Sequence, residues 1–150
     1  GRWVRFIDIV KMSEEHLEAC VDLFIDVFTK APWYDTYSSR KQVVDFFQNY
    51  MANNYFAGYV LQEQSDVIAL SVGVKKPWIN GMEYYIDQFC VKPDRQGRKI
   101  GSRFLKLIER EIQAEGMNAI ILNTESGFPS ESVYLKNGFR LVEGLVTLIT

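Results

Sequence analysis

Residues 92–102 read KPDRQGRKIGS. They follow an apolar, strand-like run that ends at Val91 and precede a stretch in which Ile100, Phe104, Leu107, Ile108 and Ile112 recur at helical spacing. Gly97 and Gly101 permit close backbone approach, and the first N–H groups of a helix find no acceptor within it. A strand, a glycine-bearing loop and a helix N-terminus in that order attract anions. Arg95, Arg98, Lys99 and Arg103 add positive charge to the same place. By spacing alone the segment is either a diphosphate site or a glycine-eased turn carrying solvated cations. Two other phosphate loops are disfavoured, because the order GxxxxGK[ST] is absent and no GxGxxG follows the strand.

The same residues also fit a narrower pattern. Gln96, Gly97, Arg98, Lys99, Ile100 and Gly101 fill the places of [Q/R]-x-x-G-x-[G/A], with Lys99 where a glycine is usual. Downstream, VYLKNGF places Tyr134 four residues before Gly138 and Phe139, as in Y-x-x-x-G-F. In both motifs and in their separation, the chain resembles the Gcn5-related N-acetyltransferases. The resemblance implies an α/β fold, with a mixed, mostly antiparallel central sheet of six to seven strands flanked by about four helices, formed as one domain over residues 1–150.

The resemblance also implies acetyl-coenzyme A as cosubstrate. Splayed fourth and fifth strands would admit pantetheine along Phe89, Cys90 and Val91, with the Val91 N–H facing the acetyl carbonyl. Gln96, Gly97, Arg98, Lys99, Ile100, Gly101 and Ser102 would hold the pyrophosphate. Asn123, at the end of the fifth strand, either contacts pantetheine or makes a strand-end turn. Tyr134 resembles the family's general acid, since a phenol with an ordinary pKa of about 10 stays protonated at neutral pH and can donate to a leaving thiolate. The alternative is that it packs beside Val133 and Leu135.

The rest of the chain reads as an ordinary globular sequence. Residues 3–10 alternate like an opening strand, and Ser13 caps a helix with Glu14 and Glu15 in its first turn. Leu17, Cys20, Val21, Phe24 and Phe28 mark its buried stripe, and Val43, Val44, Phe47, Tyr50 and Met51 mark a second helix. Runs at 56–61, 67–74 and 82–91 read as an antiparallel meander. AIILNT, residues 119–124, reads as a strand buried on both faces, 129–137 as a short helix, and FRLVEG and LVTLIT as two closing strands.

The acceptor side is less determined. Amine acetylation needs a neutral nitrogen, and a carboxylate with an ordinary pKa of about 4 is a poor base unless burial or a water relay helps. Asp87 shares one face with Tyr85, Phe89 and Val91 by period-two alternation, and a carboxylate there either binds or activates the amine or makes a structural hydrogen bond. Glu83 is the second choice. Trp33, Tyr34 and Tyr37, beside Asp35, either cradle a cationic amine through their ring faces or cover the end of the core. Together with Tyr85 these residues form the expected acceptor wall, and Trp78 is a candidate for the opposite one.

Other classes fit worse. The chain has 150 residues, a net charge of −2, 47% apolar and 24% charged residues, which fits one compact domain and argues against a broad nucleic-acid surface. Without a run of about 18 uncharged apolar residues, no membrane span is expected. Cys20 and Cys90 form no framework and suit a reducing cytoplasm. A single histidine, His16, offers no metal set, makes a Cys90 acyl-enzyme improbable and reads as a solvated helix residue.

The expected function is therefore acetyl transfer from acetyl-coenzyme A to a primary amine of a small molecule, of aminoglycoside, polyamine or amino-acid type, by direct attack in a ternary complex. A non-catalytic acyl-coenzyme A module and a protein or peptide N-acetyltransferase are the alternatives. Family precedent further implies a homodimer through the final strands, and the apolar ending LVTLIT leads us to expect sequence beyond Thr150.

Overall fold

The computed structural model describes residues 6–97, 99–124 and 126–150. Strand β1 (Ile7–Lys11) leads through a 3-10 turn (Glu14–His16) into α1 (Leu17–Phe28), followed by α2 (Arg40–Met51). Then come β2 (Phe56–Glu63), β3 (Asp66–Trp78) and β4 (Gly81–Val91). A 3-10 turn (Pro93–Arg95), α3 (Ile100–Ala114), β5 (Met117–Leu122) and α4 (Pro129–Lys136) complete the order. The five strands form one sheet in the order β1-β2-β3-β4-β5, antiparallel as far as β4 and parallel between β4 and β5.

Alternating side chains give the sheet two apolar faces. Val60, Leu70, Val72 and Cys90 pack with Cys20, Val21 and Phe24 of α1 and Phe47 of α2. Tyr59, Leu61, Tyr84 and Ile86 pack with Phe104, Ile108 and Ile112 of α3. Each helix therefore delivers the stripe that its 3.6-residue period predicts. Ser39 begins α2 as its cap, its Oγ accepting from the Gln42 N–H at 3.3 Å. Asn137 ends α4, and Gly138 follows at φ 85°, the left-handed step that glycine takes at least cost.

One irregularity changes the reading of the site. In the β3–β4 ladder Val72 faces Gln88 and Gly73 faces Ile86, which leaves Asp87 as the extra residue of a β-bulge. Met82, Tyr84 and Ile86 join the α3 side of the core, but so do Phe89 and Val91, so alternation slips by one across the bulge. Asp87 therefore does not share a face with Phe89 and Val91, contrary to simple period-two counting. Gly73 permits the bulge: a Cβ there would lie 1.9 Å from the Tyr85 carbonyl oxygen.

Other expectations need correction. The sheet has five strands, not six or seven, because among the described residues no strand follows α4 and residues 139–150 make no ladder. Instead Leu141, Leu145, Val146, Leu148 and Ile149 are exposed. Strand β5 is not buried on both faces, since Asn118 and Ala119 are open to solvent and β5 is the last strand of the sheet. His16 is buried rather than solvated, its Nδ1 accepting from the Ser13 N–H at 3.0 Å. Residues 3–5 of the anticipated first strand lie outside the described residues.

Candidate active site

The ladder between β4 and β5 runs to Ile86 and Leu122, where β5 ends while β4 continues to Val91. An opening results on the β5 side of residues 87–91. Which backbone groups face it follows from one bond: the Lys92 N–H donates to the Ile68 carbonyl of β3 at 2.7 Å. Backbone direction alternates along a strand, so Cys90 also turns toward β3, whereas the N–H and C=O groups of Phe89 and Val91 turn into the opening. The Val91 carbonyl is already engaged by the Gln96 side-chain amide at 2.9 Å, and its N–H faces the opening.

The loop beyond Val91 delivers further donors. Gly97 has φ 80° with open space where a Cβ would be, and Lys99 has φ 60° immediately before α3. This explains why glycine suits the place of Lys99: a side chain there costs about 1–2 kcal/mol of backbone strain. Ile100 is buried in the core, so only its backbone is available to a ligand. Ser102 lies in the first turn, its Oγ accepting from the Asn137 side-chain amide at 2.8 Å, which joins α3 to the end of α4. Lys99 and Arg103 are exposed beside these amides. Arg95 is not, since its guanidinium is held by Glu63 at 2.6 Å and by Asp94 at 3.2 Å. It anchors the loop rather than offering charge to a ligand. Arg98, counted among the phosphate contacts, lies outside the described residues.

On the other side of the opening lies a cleft of about 630 Å³ between the α1–α2 connection, β4 and α4. Asp87, Phe89, Asn123, Tyr134 and Trp33, all anticipated from sequence, line it. Tyr134 is buried, with its ring 5.8 Å from Phe89 and 5.5 Å from Phe139. Burial, with the Cys90 thiol nearby, pushes its phenol above the usual range, so it stays protonated at neutral pH. Asp87 makes a long 3.5 Å contact with the Gln88 amide and lies within reach of Tyr50, whose phenol is pushed up to about 12 by burial and then by that carboxylate. Cys90 is buried toward α1, and burial raises its thiol, the reverse of what a nucleophile requires.

Two anticipated wall residues stand elsewhere. Tyr34 is 69% exposed and absent from the cleft lining, because the chain turns it outward at φ 50°. Tyr85 is not in the lining either; its hydroxyl accepts from the Asn123 amide at 2.9 Å, so it braces Asn123 from behind. Trp78 lies at the β3–β4 turn, 57% exposed and under the Lys76 ammonium at 4.7 Å. The cleft also contains Phe24 and Phe28, which by helical period alone belong to the core stripe, and Phe46, which the sequence reading did not single out. Gly73 escapes a reading by motif, although an isolated glycine within a strand is itself a signal of a bulge. Among the described residues, no group of three His, Cys, Asp or Glu side chains could hold a metal, and no helix is long and apolar enough to cross a membrane.

Comparison with known proteins agrees with this geometry. The fold matches aminoglycoside N-acetyltransferase AAC(6')-Iy, solved with CoA, at a TM-score of 0.77 and 15% identity, covering 99% of this chain and 97% of that one. It matches a predicted acetyltransferase from Clostridium acetobutylicum, solved with acetyl-CoA, at 0.71 and 19%, covering 96% of each chain. An aminoglycoside acetyltransferase from an uncultured soil metagenomic sample, solved with sisomicin, matches at 0.74 and 14%, covering 97% of this chain and 95% of that one. The model of the acetyltransferase (GNAT) family matches residues 17–139. With the splayed strands, the glycine loop and Tyr134 in place, this chain belongs to the GNAT family and is an acetyltransferase.

Proposed function

We propose that the protein transfers the acetyl group of acetyl-CoA to a primary amine of a small molecule, by direct attack within a ternary complex. The observation that carries this reading is the junction of two half-sites at β4: backbone N–H groups freed by the parting of β4 from β5 meet a side-chain cleft that holds Tyr134. The turn-and-helix segment of Gly97, Lys99, Ile100 and Gly101 offers backbone amides to the pyrophosphate, and Lys99 and Arg103 offer charge. The Val91 N–H faces the thioester carbonyl and stabilises negative charge developing on its oxygen. Tyr134 donates its proton to the departing thiolate.

Asp87, released from β3 by the bulge, attracts the acceptor as an ammonium ion; the proton that ammonium must lose passes to water or to this carboxylate. The walls carry Asp35 and Asp87 and, among the described residues, no lysine or arginine, which supports a cationic acceptor. Two structural neighbours, AAC(6')-Iy with the bisubstrate analogue CoA-S-monomethyl-acetylneamine and the metagenomic enzyme with sisomicin, point to a small-molecule amine. Two unpaired cysteines support action in a reducing cytoplasm. The exposed apolar side chains of Leu141, Leu145, Val146, Leu148 and Ile149 support pairing with a second copy.

The test is thiol release from acetyl-CoA across a panel of aminoglycosides, polyamines, amino acids and peptides with free N-termini. Turnover on a small amine, first order in enzyme, is expected. Coenzyme A binding by calorimetry with no turnover on any amine overturns the enzymatic reading in favour of a binding module, and turnover confined to peptides overturns the small-molecule acceptor.

A further inference from the structure

The turn that leads into α3 is fastened at three places. The Lys92 N–H donates to the Ile68 carbonyl of β3 at 2.7 Å, and the Gln96 side-chain amide donates to the Val91 carbonyl of β4 at 2.9 Å. Between them the Arg95 guanidinium donates to the Glu63 carboxylate at 2.6 Å, across 32 residues of chain. Glu63 stands at the end of β2, opposite Asp66 in the β2–β3 ladder, so this bond ties the turn to a strand on the other side of β3. The pair is turned to protein rather than to solvent, with side chains only 16% and 12% exposed for Arg95 and Glu63. Nη2 of Arg95 meets Glu63, Nη1 meets Asp94 at 3.2 Å, and Nε is buried with no acceptor among the described residues.

We propose that the Glu63–Arg95 ion pair positions the coenzyme loop, holding Gln96, Gly97 and the first amides of α3 where the pyrophosphate meets them, and itself touches no part of the coenzyme. Taking two charges out of water is costly, so a largely enclosed pair on a turn is a weak source of stability; what it fixes is place. The backbone that follows needs such a hold. Gly97 at φ 80° and Lys99 at φ 60° are both left-handed, and a residue other than glycine keeps that conformation only where its surroundings enforce it. Arg95, two residues before Gly97, is the side chain that binds this stretch to the sheet.

The pair also disposes of charge. The carboxylates of Glu63, Asp94 and Asp66 all lie within electrostatic reach of Arg95. Without the guanidinium they stand uncompensated behind a turn that receives a diphosphate. The two partners are therefore not equivalent: loss of Arg95 removes the hold and uncovers the carboxylates, whereas neutralising Glu63 removes the hold alone.

This role rests on the acetyl-transfer reading and has its own test. Steady-state kinetics of the full chain with its best amine are compared for wild type, Glu63→Gln, Arg95→Gln and Arg95→Lys, alongside coenzyme A calorimetry. The donor is acetyl-CoA in one series and S-acetylpantetheine, which lacks the pyrophosphate, in the other. Glu63→Gln is expected to raise KM for acetyl-CoA about tenfold, the scale of coupling within one ion-pair network, with kcat at saturation, the amine KM and kcat/KM for acetylpantetheine unchanged. Arg95→Gln is expected to raise KM for acetyl-CoA further, and Arg95→Lys, which keeps a cation within reach of Glu63, to recover most of that loss. Coenzyme affinity that is unchanged or tighter in Glu63→Gln means that the freed Arg95 grips phosphate itself, and overturns the proposal. A loss shared equally by acetyl-CoA and acetylpantetheine, or an Arg95→Lys that binds no tighter than Arg95→Gln, overturns it as well, and in each of these cases the acetyl-transfer reading stands. A wild-type chain that neither binds coenzyme A nor turns over acetyl-CoA overturns both.

Discussion

The two half-sites that meet at β4 are built from different materials. On the proposed coenzyme side the groups on offer are backbone amides: the N–H groups of Phe89 and Val91, and those of the loop and first turn of α3. On the proposed acceptor side they are side chains, with Tyr134, Asp87 and Asp35 set among Phe24, Phe28 and Trp33. A backbone site tolerates almost any side chain and fails only where a Cβ, a wrong φ or a blocking charge intrudes. A side-chain site can be rewritten one residue at a time while the sheet stays intact. The contrast explains why the coenzyme half carries a glycine-marked motif and the acceptor half carries none.

Damage to the shared strand harms both halves. Gly73→Val is expected to show the largest effect, because any Cβ collides with the Tyr85 carbonyl across from the bulged stretch. A loss of about 3 kcal/mol or more in urea unfolding is the expected result, and a fully stable variant contradicts the bulge. Tyr134→Phe is next: kcat falls about 100-fold or more while coenzyme A affinity in calorimetry is unchanged. Because burial holds this phenol above its ordinary range, it stays protonated, and its donor capacity is lost only as pH rises through that raised value. No Tyr134-dependent loss of kcat is therefore expected below about pH 10; a limb there that vanishes in Tyr134→Phe contradicts the burial.

The remaining substitutions bear on the coenzyme half alone. At Gly101 a Cβ meets Val133 at 3.6 Å and Val91 at 3.8 Å, ordinary contacts, so alanine fits. Gly101→Glu, by contrast, sets a carboxylate against the pyrophosphate and is expected to weaken coenzyme A binding about 100-fold, the scale of an unrelieved like-charge contact. Equal calorimetric affinities for Gly101→Ala and Gly101→Glu remove the pyrophosphate from this turn. The smallest effect is expected at Lys99, where Lys99→Gly relieves the strain at φ 60°. A gain of about 0.5–1 kcal/mol in unfolding with near-equal coenzyme affinity fits a backbone grip, whereas a large loss of affinity assigns the grip to the Lys99 ammonium.

Much of the site's address is legible in the sequence, and the pattern of misses is physical. Gln96, Gly97, Gly101 and Tyr134 stand out because their spacing is local: a loop and a helix of known period carry them. The helices are legible for the same reason, with Cys20, Val21, Phe24, Phe47, Phe104 and Ile108 all buried as their period requires. Asp87 is singled out for the wrong reason. Alternation places it with Phe89 and Val91, whereas the bulge separates them and frees it for the cleft. Tyr34 and Tyr85 are drawn to the acceptor wall because aromatic residues near a cleft look alike in sequence, although one points outward and the other supports Asn123. Phe24 and Phe28 are legible as apolar stripe, but not as lining. A helix that covers a sheet also lines whatever gap the sheet leaves, and the gap is not local.

Turn chemistry, helical period and short motifs act over a few neighbouring residues, and from them alone follow the element order from β1 to α4, the phosphate-type loop before α3 and the phenol on α4. It takes the packed fold to establish which face Asp87 occupies, that Arg95 serves Glu63 rather than a ligand, and that residues 139–150 make no strand here. Each of these depends on register and pairing between segments far apart in the chain, and a one-residue slip in register exchanges the two faces of a strand.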